Sequence, residues 1–415
     1  MPYQKFRPAK QWGRANTRYF KSVYANKLKE RMPVFRVPDV LQKIGAVIYD
    51  PNDVDFPKPR QKFDTVLDHP AFRTPSVEES SFFKTIKCNM FNGTIPFTDG
   101  IDQACALSKA VKRTHFLPVV LQNAMKIVKT NDIKEKLSEL IMRGERYDPT
   151  LEKLPRRFDP ILFWAVYPRK HGTPAIKKGN IILENLYRHI VSLASQADQL
   201  SELRHDLDGT LNCELIVGCE KNPFVLRTKP HIVVQSPSLI NPWANPEAIE
   251  ETRKEDVPDV NPIDPKIDLV PEHVYSGITE LPRISFPLHL DTIMWTREQD
   301  QKYPWTREQN AANAIMYCFG AAVAEAKRMG NVKAGVLEKP VVTRAVQLVK
   351  GMMDFVVFQL NTLDLSNKKD DIKNIVWVEH AQRLYKPGFY YENYEAVVDL
   401  NVETFHKMLG LMVTR

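Results

Sequence analysis

Apolar residues recur at helical spacing through the first globular stretch of the chain. Four segments show this pattern: 102–113, 117–129, 133–143 and 175–203. Side chains three and four residues apart lie on the same face of a helix, so the spacing predicts four amphipathic helices. We therefore predict that residues 81–208 form a mainly helical region.

The apolar pattern changes after Gly209. Short β-type runs at 211–217, 224–228 and 231–235 are separated by turn residues, which predicts a small antiparallel sheet.

The carboxyl-terminal part has the most regular pattern. It predicts a helix over 309–329 ended by Gly330, strands at 341–349, 354–360 and 374–378, and a closing helix at 402–412. The fold class is therefore predicted to be α+β, with a mostly helical N-terminal half and a mixed C-terminal half spanning 209–415.

Proline interrupts the pattern in two places. Seven prolines lie in 33–75 and nine in 236–287, where one short helix is predicted with Asn245 as N-cap and Pro246 in its first turn. Because proline fixes φ and lacks a backbone N–H, both segments are predicted to be extended straps over a surface. Residues 1–80 are therefore expected to form an arm and a strap.

The net charge of +8 is concentrated at the amino terminus. Residues 1–31 carry nine basic side chains and one acidic, and the remaining chain carries 49 of each sign. The charge indicates a polyanion partner for the arm but not for the body as a whole.

Six aromatic residues alternate with these positive charges. The candidate RNA-binding residues are Lys5, Arg7, Lys10, Trp12, Arg14, Arg18, Tyr19 and Lys21. Basic groups neutralise phosphates and flat rings stack on unpaired bases, so the pattern favours RNA binding. The alternative is a mitochondrial targeting peptide, which is also rich in arginine and poor in acids.

Three further basic pairs lie in the body near aromatic residues. They are Arg156 with Arg157, Arg169 with Lys170 and Lys177 with Lys178, near Trp164, Tyr167 and His171. Solvated surface charge is the simpler interpretation, and an extension of an RNA-binding surface is the alternative.

The segment Asp206–Leu211 looks like a phosphatase signature of the haloacid dehalogenase type. In that chemistry the first Asp is the nucleophile and the second the general acid, beside a magnesium ion. A buried apolar strand should precede Asp206, but residues 199–205 are largely polar and helical in pattern. A helix end followed by a turn is therefore favoured over a catalytic pair formed by Asp206 and Asp208.

The order helix, strand, strand over 309–360 resembles the core of restriction-like nucleases. Such enzymes place acidic residues on these strands to hold a metal, whereas this chain has Gln359 and Asn361. Since amides carry no charge, we expect no catalytic site here.

Cysteine and histidine spacing predicts no metal or cofactor site. The five cysteines are odd in number and scattered, so they are expected to be reduced thiols. The longest apolar run, 314–324, is shorter than the roughly 20 residues of a membrane span. The sequence thus predicts a protein that is not an enzyme and does not cross a membrane.

The carboxyl-terminal region resembles the family of mitochondrial large ribosomal subunit protein thirty-seven. The similarity covers 319–322, 336–342 and 403–411, a strap segment at 262–269 and, most of all, Phe358–Leu365. The family motif that we expect to be structural consists of Phe358, Gln359, Leu360, Asn361, Thr362 and Asp364. Strand alternation is expected to bury Phe358 and Leu360 on one face and to place the amides on the other, in a turn or against a partner's backbone.

The resemblance implies a function and a location. It implies a structural constituent of the mitochondrial large ribosomal subunit in the matrix, assembled with other large-subunit proteins. It also implies a heterodimer with a homologous ribosomal protein. Contact with mitochondrial ribosomal RNA is predicted from the basic arm.

Overall fold

The protein is described here from a computed structural model. The described residues are 37–45, 85–113, 118–127, 133–145, 152–154, 161–168, 171–195, 203–217, 222–275, 288–298, 303–330, 335–366, 369–387 and 397–414, with residues 18, 22, 159 and 281. The chain divides into two compact units, 1–74 and 75–415. The first unit includes helix α1 (Asp39–Lys43), whose described side chains are exposed.

Helices and strands alternate through the second unit. The helices are α2 (Gly100–Ser108), α3 (Pro118–Ile127), α4 (Ile133–Glu145), α5 (Ala175–Ser195), α6 (Pro246–Glu251), α7 (Arg307–Arg328) and α8 (Val402–Val413). The strands are β1 (Thr85–Phe91), β2 (Ala110–Arg113), β3 (Glu152–Lys153), β4 (His171–Gly172), β5 (Arg204–Leu207), β6 (Leu211–Leu215), β7 (Phe224–Thr228), β8 (Ile232–Ser236), β9 (Val270–Tyr275), β10 (His289–Thr296), β11 (Val336–Val349), β12 (Met352–Thr362), β13 (Asn374–Arg383), β14 (Lys386–Pro387) and β15 (Val397–Val398).

A seven-stranded mixed sheet forms the centre of the second unit. Its strand order is β2-β13-β12-β11-β10-β8-β5. Strands β10 and β11 are parallel, and helix α7 makes the crossover between them. Strands β11, β12 and β13 form an antiparallel meander through the middle. The parallel pair needs a crossover helix because parallel neighbours cannot be joined by a tight turn.

Both faces of the large sheet are buried. On strand β12, Val356 and Phe358 pack into one apolar cluster, while Phe355 and Val357 pack into another on the opposite face. Successive side chains of a strand point to opposite faces, so a strand covered on both sides reads as continuously apolar. The near-uninterrupted apolar sequence of β12 follows from this position.

Helix α7 separates the large sheet from a smaller four-stranded sheet. The smaller sheet has the order β6-β7-β1-β9. Residues Asn310 to Ala326 of α7 are all buried, and Cys213 of β6 donates to the Gly320 carbonyl oxygen at 3.6 Å. Because α7 is covered on opposite sides, small residues replace the usual polar stripe of an amphipathic helix.

Helices cover the other face of the large sheet. Helix α5 buries Ile182, Leu186 and Ile190, which recur every four residues, and α8 buries Phe405 and Leu409 in the same cluster. A single apolar stripe suffices here because the opposite helix face meets solvent. The second unit therefore has four layers: small sheet, α7, large sheet and outer helices.

The α+β class is confirmed, and so is most of the carboxyl-terminal order of elements. The mostly helical N-terminal half is not confirmed, because residues before 208 also supply β1 to the small sheet and β2 and β5 to the large one. The predicted helix at 102–113 is wrong in its second half. The chain leaves α2 at Lys109, which has φ +50°, and continues as β2.

The predicted small antiparallel sheet is also partly wrong. Strands β6 and β7 pair antiparallel as predicted, but β8 pairs with β5 and β10 in the large sheet. In addition, Arg204–Leu207 is an edge strand instead of the end of a helix. Sequence proximity suggested one sheet, whereas the tertiary fold divides the three strands between two.

Candidate functional site

Most of the basic arm lies outside the described residues. This holds for Lys5, Arg7, Lys10, Trp12, Arg14, Tyr19 and Lys21. Arg18 is described, with an exposed side chain in helical conformation. RNA binding by the arm stays a prediction.

The motif Phe358–Asp364 occupies the end of the central strand β12 and the turn after it. The rings of Phe358 and Phe319 lie 5.2 Å apart between centroids, which packs β12 onto helix α7. Phe358 and Leu360 are fully buried. The apolar half of the motif therefore holds the large sheet to its central helix.

Gln359 fastens the second proline strap to the sheet. Its Oε1 accepts hydrogen bonds from the backbone N–H groups of Trp243 at 2.9 Å and Ala244 at 3.0 Å. Its Nε2 donates to Asn361 Oδ1 at 3.0 Å. The side chain is completely buried, so each of these bonds replaces one that water would otherwise supply.

Asn361 and Asn374 join the ends of strands β12 and β13. Asn361 Nδ2 donates to the Lys373 carbonyl oxygen at 2.9 Å. Asn374 Oδ1 accepts from the backbone N–H groups of Asn361 and Thr362 at 2.8 and 3.0 Å. The amides thus satisfy backbone groups of the protein's own chain.

Thr362 and Asp364 shape the turn after β12. Thr362 Oγ1 donates to the Gly335 carbonyl oxygen at 3.1 Å and accepts from the Asp364 N–H at 3.1 Å. Hydrogen bonds from the hydroxyl and the N–H of Ser366 lower the pKa of the Asp364 carboxyl.

Phe358 and Leu360 share one face as expected and Gln359 lies on the other, but the amide face is buried as well. Gln359 and Asn361 are as buried as Phe358, because the strap at 243–244 covers the face on which Gln359 lies.

Lys109 forms a buried link between the motif's turn and strand β13. Its Nζ, at zero exposure, lies 2.6 Å from Asp371 Oδ2 and donates to the Asp364 carbonyl oxygen at 3.0 Å. Burial raises the pKa of the Asp371 carboxyl, but the hydrogen bonds from Lys109 and Ile372 outweigh it, so the net change is a lowering. A buried lysine whose charge is balanced by Asp371 and which also binds the Asp364 carbonyl oxygen stabilises the fold.

A second polar cluster lies at the carboxyl ends of β10 and β11, where α7 begins. Gln347 accepts from Asn313 Nδ2 at 2.9 Å and donates to Asp354 Oδ2 at 3.2 Å. Asp354 Oδ1 accepts from the Ala381 N–H at 2.7 Å. Burial raises the pKa of Asp354 to about 6.

Arg297 closes this cluster on one side. It donates to Asn310 Oδ1 at 2.8 Å from Nη2, and its guanidinium lies 3.3 Å from the ring centroid of Trp305. Burial lowers the pKa of Arg297 to about 10. Sequence reasoning missed this cluster, since its members are spread from 297 to 381 and no single segment shows more than one or two of them.

Asp206 and Asp208 lie in different local environments. Asp206 lies on edge strand β5 and accepts from Gln235 Nε2 at 3.1 Å. Asp208 is in the following turn at φ +53°, is 81% exposed and contacts His231 Nδ1 at 2.7 Å. The buried apolar strand that phosphatase chemistry needs does not precede them, because the burial pattern of β5 alternates between half-buried and exposed.

The described residues contain no group of three or more His, Cys, Asp or Glu arranged to hold a metal ion. In the same part of the chain, no helix combines the length and apolar character needed to cross a membrane.

Four described cysteines are free thiols in the core: Cys88, Cys105, Cys213 and Cys318. Burial raises the pKa of the last three to about 12. Such thiols stay protonated and unreactive at neutral pH.

Comparison with known proteins identifies mitochondrial ribosomal proteins as relatives. The family model described as mitochondrial 28S ribosomal protein S30 (PDCD9) matches residues 292–415. The large ribosomal subunit protein mL37 of Gallus gallus is 32% identical over 191 residues, which cover 43% of this chain and 44% of the chicken protein. The mL37 of Rattus norvegicus is 24% identical over 359 residues, covering 82% of this chain and 78% of the rat protein.

The buried carboxyl-terminal motif lies within the matched residues 292–415, so this part of the chain resembles mitochondrial ribosomal proteins. The bovine mL37 match, 24% identical over 77% of this chain and 71% of that protein, agrees. The chain is thus similar to mL37 proteins over most of its length.

Proposed function

We propose that this protein is a structural constituent of the mitochondrial large ribosomal subunit and supports mitochondrial translation in the matrix. The observation that carries the proposal is the match to mL37 proteins over most of the chain. The family model, at 292–415, includes strand β12 with the motif and the closing helix α8.

The chemistry of the motif supports a structural role. The positions where a nuclease needs acidic metal ligands carry Gln359 and Asn361, and both amides are used to hold backbone groups. Gln359 Oε1 already accepts two backbone N–H groups and Asn361 Oδ1 accepts from Gln359 Nε2, and a neutral amide supplies no charge to balance a metal ion.

Sedimentation tests this proposal. An epitope-tagged chain in a mitochondrial lysate should travel with the large subunit in a sucrose gradient, both in intact ribosomes and after low magnesium separates the subunits. A tagged matrix enzyme of similar mass is the control and should remain at the top. Recovery of the tagged chain only at the top of the gradient contradicts the proposal.

RNA binding by the arm is the second part of the proposal. Its support is the charge of +8 within residues 1–31, interleaved with six aromatic rings. Replacing Arg7, Lys10, Arg14 and Arg18 with Ala should weaken RNA binding and flatten its salt dependence by about 0.7 to 0.9 for each phosphate that the variant no longer neutralises. An unchanged salt slope would leave targeting as the arm's role.

Contact with neighbouring ribosomal proteins, including a homologous one as a heterodimer, completes the proposal. Its support is that one family model, described as ribosomal protein S30, also matches this chain at 292–415. Two ribosomal proteins with a shared region are candidates for pairing through pseudo-symmetric surfaces. Cross-linking of intact ribosomes followed by mass spectrometry should yield links between residues of 292–415 and that homologue; links only to unrelated proteins would argue against pairing.

A further inference from the structure

A short pair of strands closes a loop between helices α4 and α5. Strands β3 and β4 pair antiparallel, with Glu152 opposite Gly172 and Lys153 opposite His171. The ladder joins the two ends of the intervening segment, which we name the 154–170 loop. Surface loops between regular elements are frequent sites of function.

The tip of the 154–170 loop is apolar and exposed. Ile161 is 79% exposed, Phe163 70%, Trp164 65% and Val166 77%. Single exposed apolar residues are ordinary, but four side chains that are each at least 65% exposed within six positions form a cluster of the kind that marks an interaction site.

The tip has a defined conformation that keeps these side chains exposed. Asp159 Oδ1 accepts from the backbone N–H groups of Ile161 and Leu162 at 3.0 and 3.2 Å. The Ala165 N–H donates to the Leu162 carbonyl oxygen at 2.9 Å. A turn fixed by its own hydrogen bonds loses little conformational freedom when it binds a partner.

The two aromatic rings at the tip lie edge to face. The centroids of Phe163 and Trp164 are 4.9 Å apart and their planes make an angle of 83°. Since both side chains are well exposed, ring surface of each is open to solvent.

The charge of the loop is strongly positive. Residues 154–170 contain Arg156, Arg157, Arg169 and Lys170 against one acid, Asp159, although residues 32–415 as a whole are neutral. Asp159 already accepts the turn's own hydrogen bonds. The basic residues precede and follow the apolar tip in sequence.

We propose that the 154–170 loop is a second RNA contact, in which Phe163 and Trp164 stack on unpaired bases and the flanking basic residues neutralise phosphates. The identity of the RNA as ribosomal rests on the proposed function. Exposed rings give sequence-tolerant stacking, and charge complementarity selects a polyanion.

Two features favour RNA over an apolar protein groove or a membrane surface. Three of the four basic residues are arginines, whose planar guanidinium pairs with phosphate in two places and stacks on bases. Two of the five exposed apolar residues at 161–166 are aromatic, at adjacent positions. A purely apolar partner would gain nothing from four basic residues so close in sequence to its contact.

Photocross-linking of the purified full-length chain to a single-stranded oligouridine containing 4-thiouridine tests the proposal. Trypsin releases residues 158–169, the whole apolar tip, as one peptide between Arg157 and Lys170. We expect cross-links on this peptide as well as on the arm. Cross-links confined to the arm overturn the proposal.

Matched variants separate stacking from charge. Phe163→Ala with Trp164→Ala should weaken oligouridine binding about tenfold or more with an unchanged salt slope, because stacking is worth about 1–3 kcal/mol per base and releases no counterions. Tyr303→Ala, which removes another exposed aromatic residue, is the control and should bind as the wild type does. Wild-type affinity of the double variant overturns the proposal.

Anionic vesicles of phosphatidylcholine and cardiolipin are the competing probe. Flotation with vesicles that the double variant loses, together with unchanged RNA binding, assigns the tip to a membrane and overturns the proposal. The gradient experiment is independent of these results. A chain that sediments with the large subunit although its tip fails to bind RNA disproves only the loop contact, and the reverse result disproves only the ribosomal location.

Discussion

The motif at 358–364 and the tip at 161–166 invert the usual distribution of polar and apolar residues. In the motif, Gln359 and Asn361 are buried and bonded to their own chain. In the tip, Phe163 and Trp164 are largely exposed. A buried polar residue bonded to its own chain indicates internal architecture, whereas a cluster of exposed apolar residues indicates an external partner.

The largest expected effect concerns another buried polar contact, the ion pair of Arg344 and Asp291. Arg344 Nη2 lies 2.6 Å from Asp291 Oδ1, and Nη1 donates to the carbonyl oxygens of Leu411 and Thr414, which end helix α8. Arg344→Met should lower the free energy of unfolding by about 3–5 kcal/mol, because it leaves Asp291 buried without a counter-charge. Chemical denaturation measures this change.

An exposed pair provides the control for that substitution. Arg188 lies on the surface beside Glu184, at 2.7 Å, and Arg188→Met should cost less than about 1 kcal/mol. Equal decreases in the two variants would contradict the assignment of Arg344 to the core.

The second effect is a pH dependence set by Asp354. Burial raises its pKa from the ordinary 3.8 to about 6, so the folded state holds the proton more tightly than the unfolded state. The stability that this proton contributes is complete below about pH 4 and is lost as the pH rises through 6. The difference in pKa corresponds to at most about 3 kcal/mol.

Asp354→Asn removes this titration. The stability of the wild type relative to the variant should therefore fall between pH 4 and pH 7, as measured by denaturation at each pH. A difference that stays constant or rises over this range would show that Asp354 is not held protonated by burial.

The third effect is confined to the attachment of the strap at 243–244. Gln359→Leu leaves the N–H groups of Trp243 and Ala244 without their acceptor, which should cost about 2 kcal/mol, since an unsatisfied buried donor costs about 1–3 kcal/mol. Hydrogen exchange at 243–244 should accelerate more than elsewhere. Gln382→Leu, at the half-buried end of β13, should leave that exchange unchanged; acceleration by both variants would mean that the strap is not fastened by Gln359.

The smallest effect on stability belongs to the exposed tip. Phe163→Ser with Trp164→Ser should change the free energy of unfolding by less than about 1 kcal/mol, because removing exposed side chains costs little. Denaturation under the same conditions checks this value. A decrease comparable to that of Gln359→Leu would mean that the rings pack against the body, and the inversion described above would then disappear.

The spacing of apolar residues correctly predicted the elements that are buried on one face or along their whole length. Helices α3 and α4 and strands β11 to β13 follow from apolar period alone. The prediction failed at Arg204–Leu207, a polar edge strand whose partner is β8. It also failed at Ala110–Arg113, which pairs with Asn374–Trp377. Such strands are stabilised by distant partners, and local sequence carries little signal for them.

By itself, the sequence determined the α+β class, the concentration of charge in the arm, and the amides at 359 and 361 where a nuclease needs acids. Each of these is a property of residue identity or short-range spacing. Only the tertiary structure decided that Gln359 faces the strap, that Asp354 meets Gln347 and Ala381, and that the 161–166 tip is left exposed. Burial and hydrogen-bond partners depend on which distant segments meet, and that is fixed by packing of the whole chain.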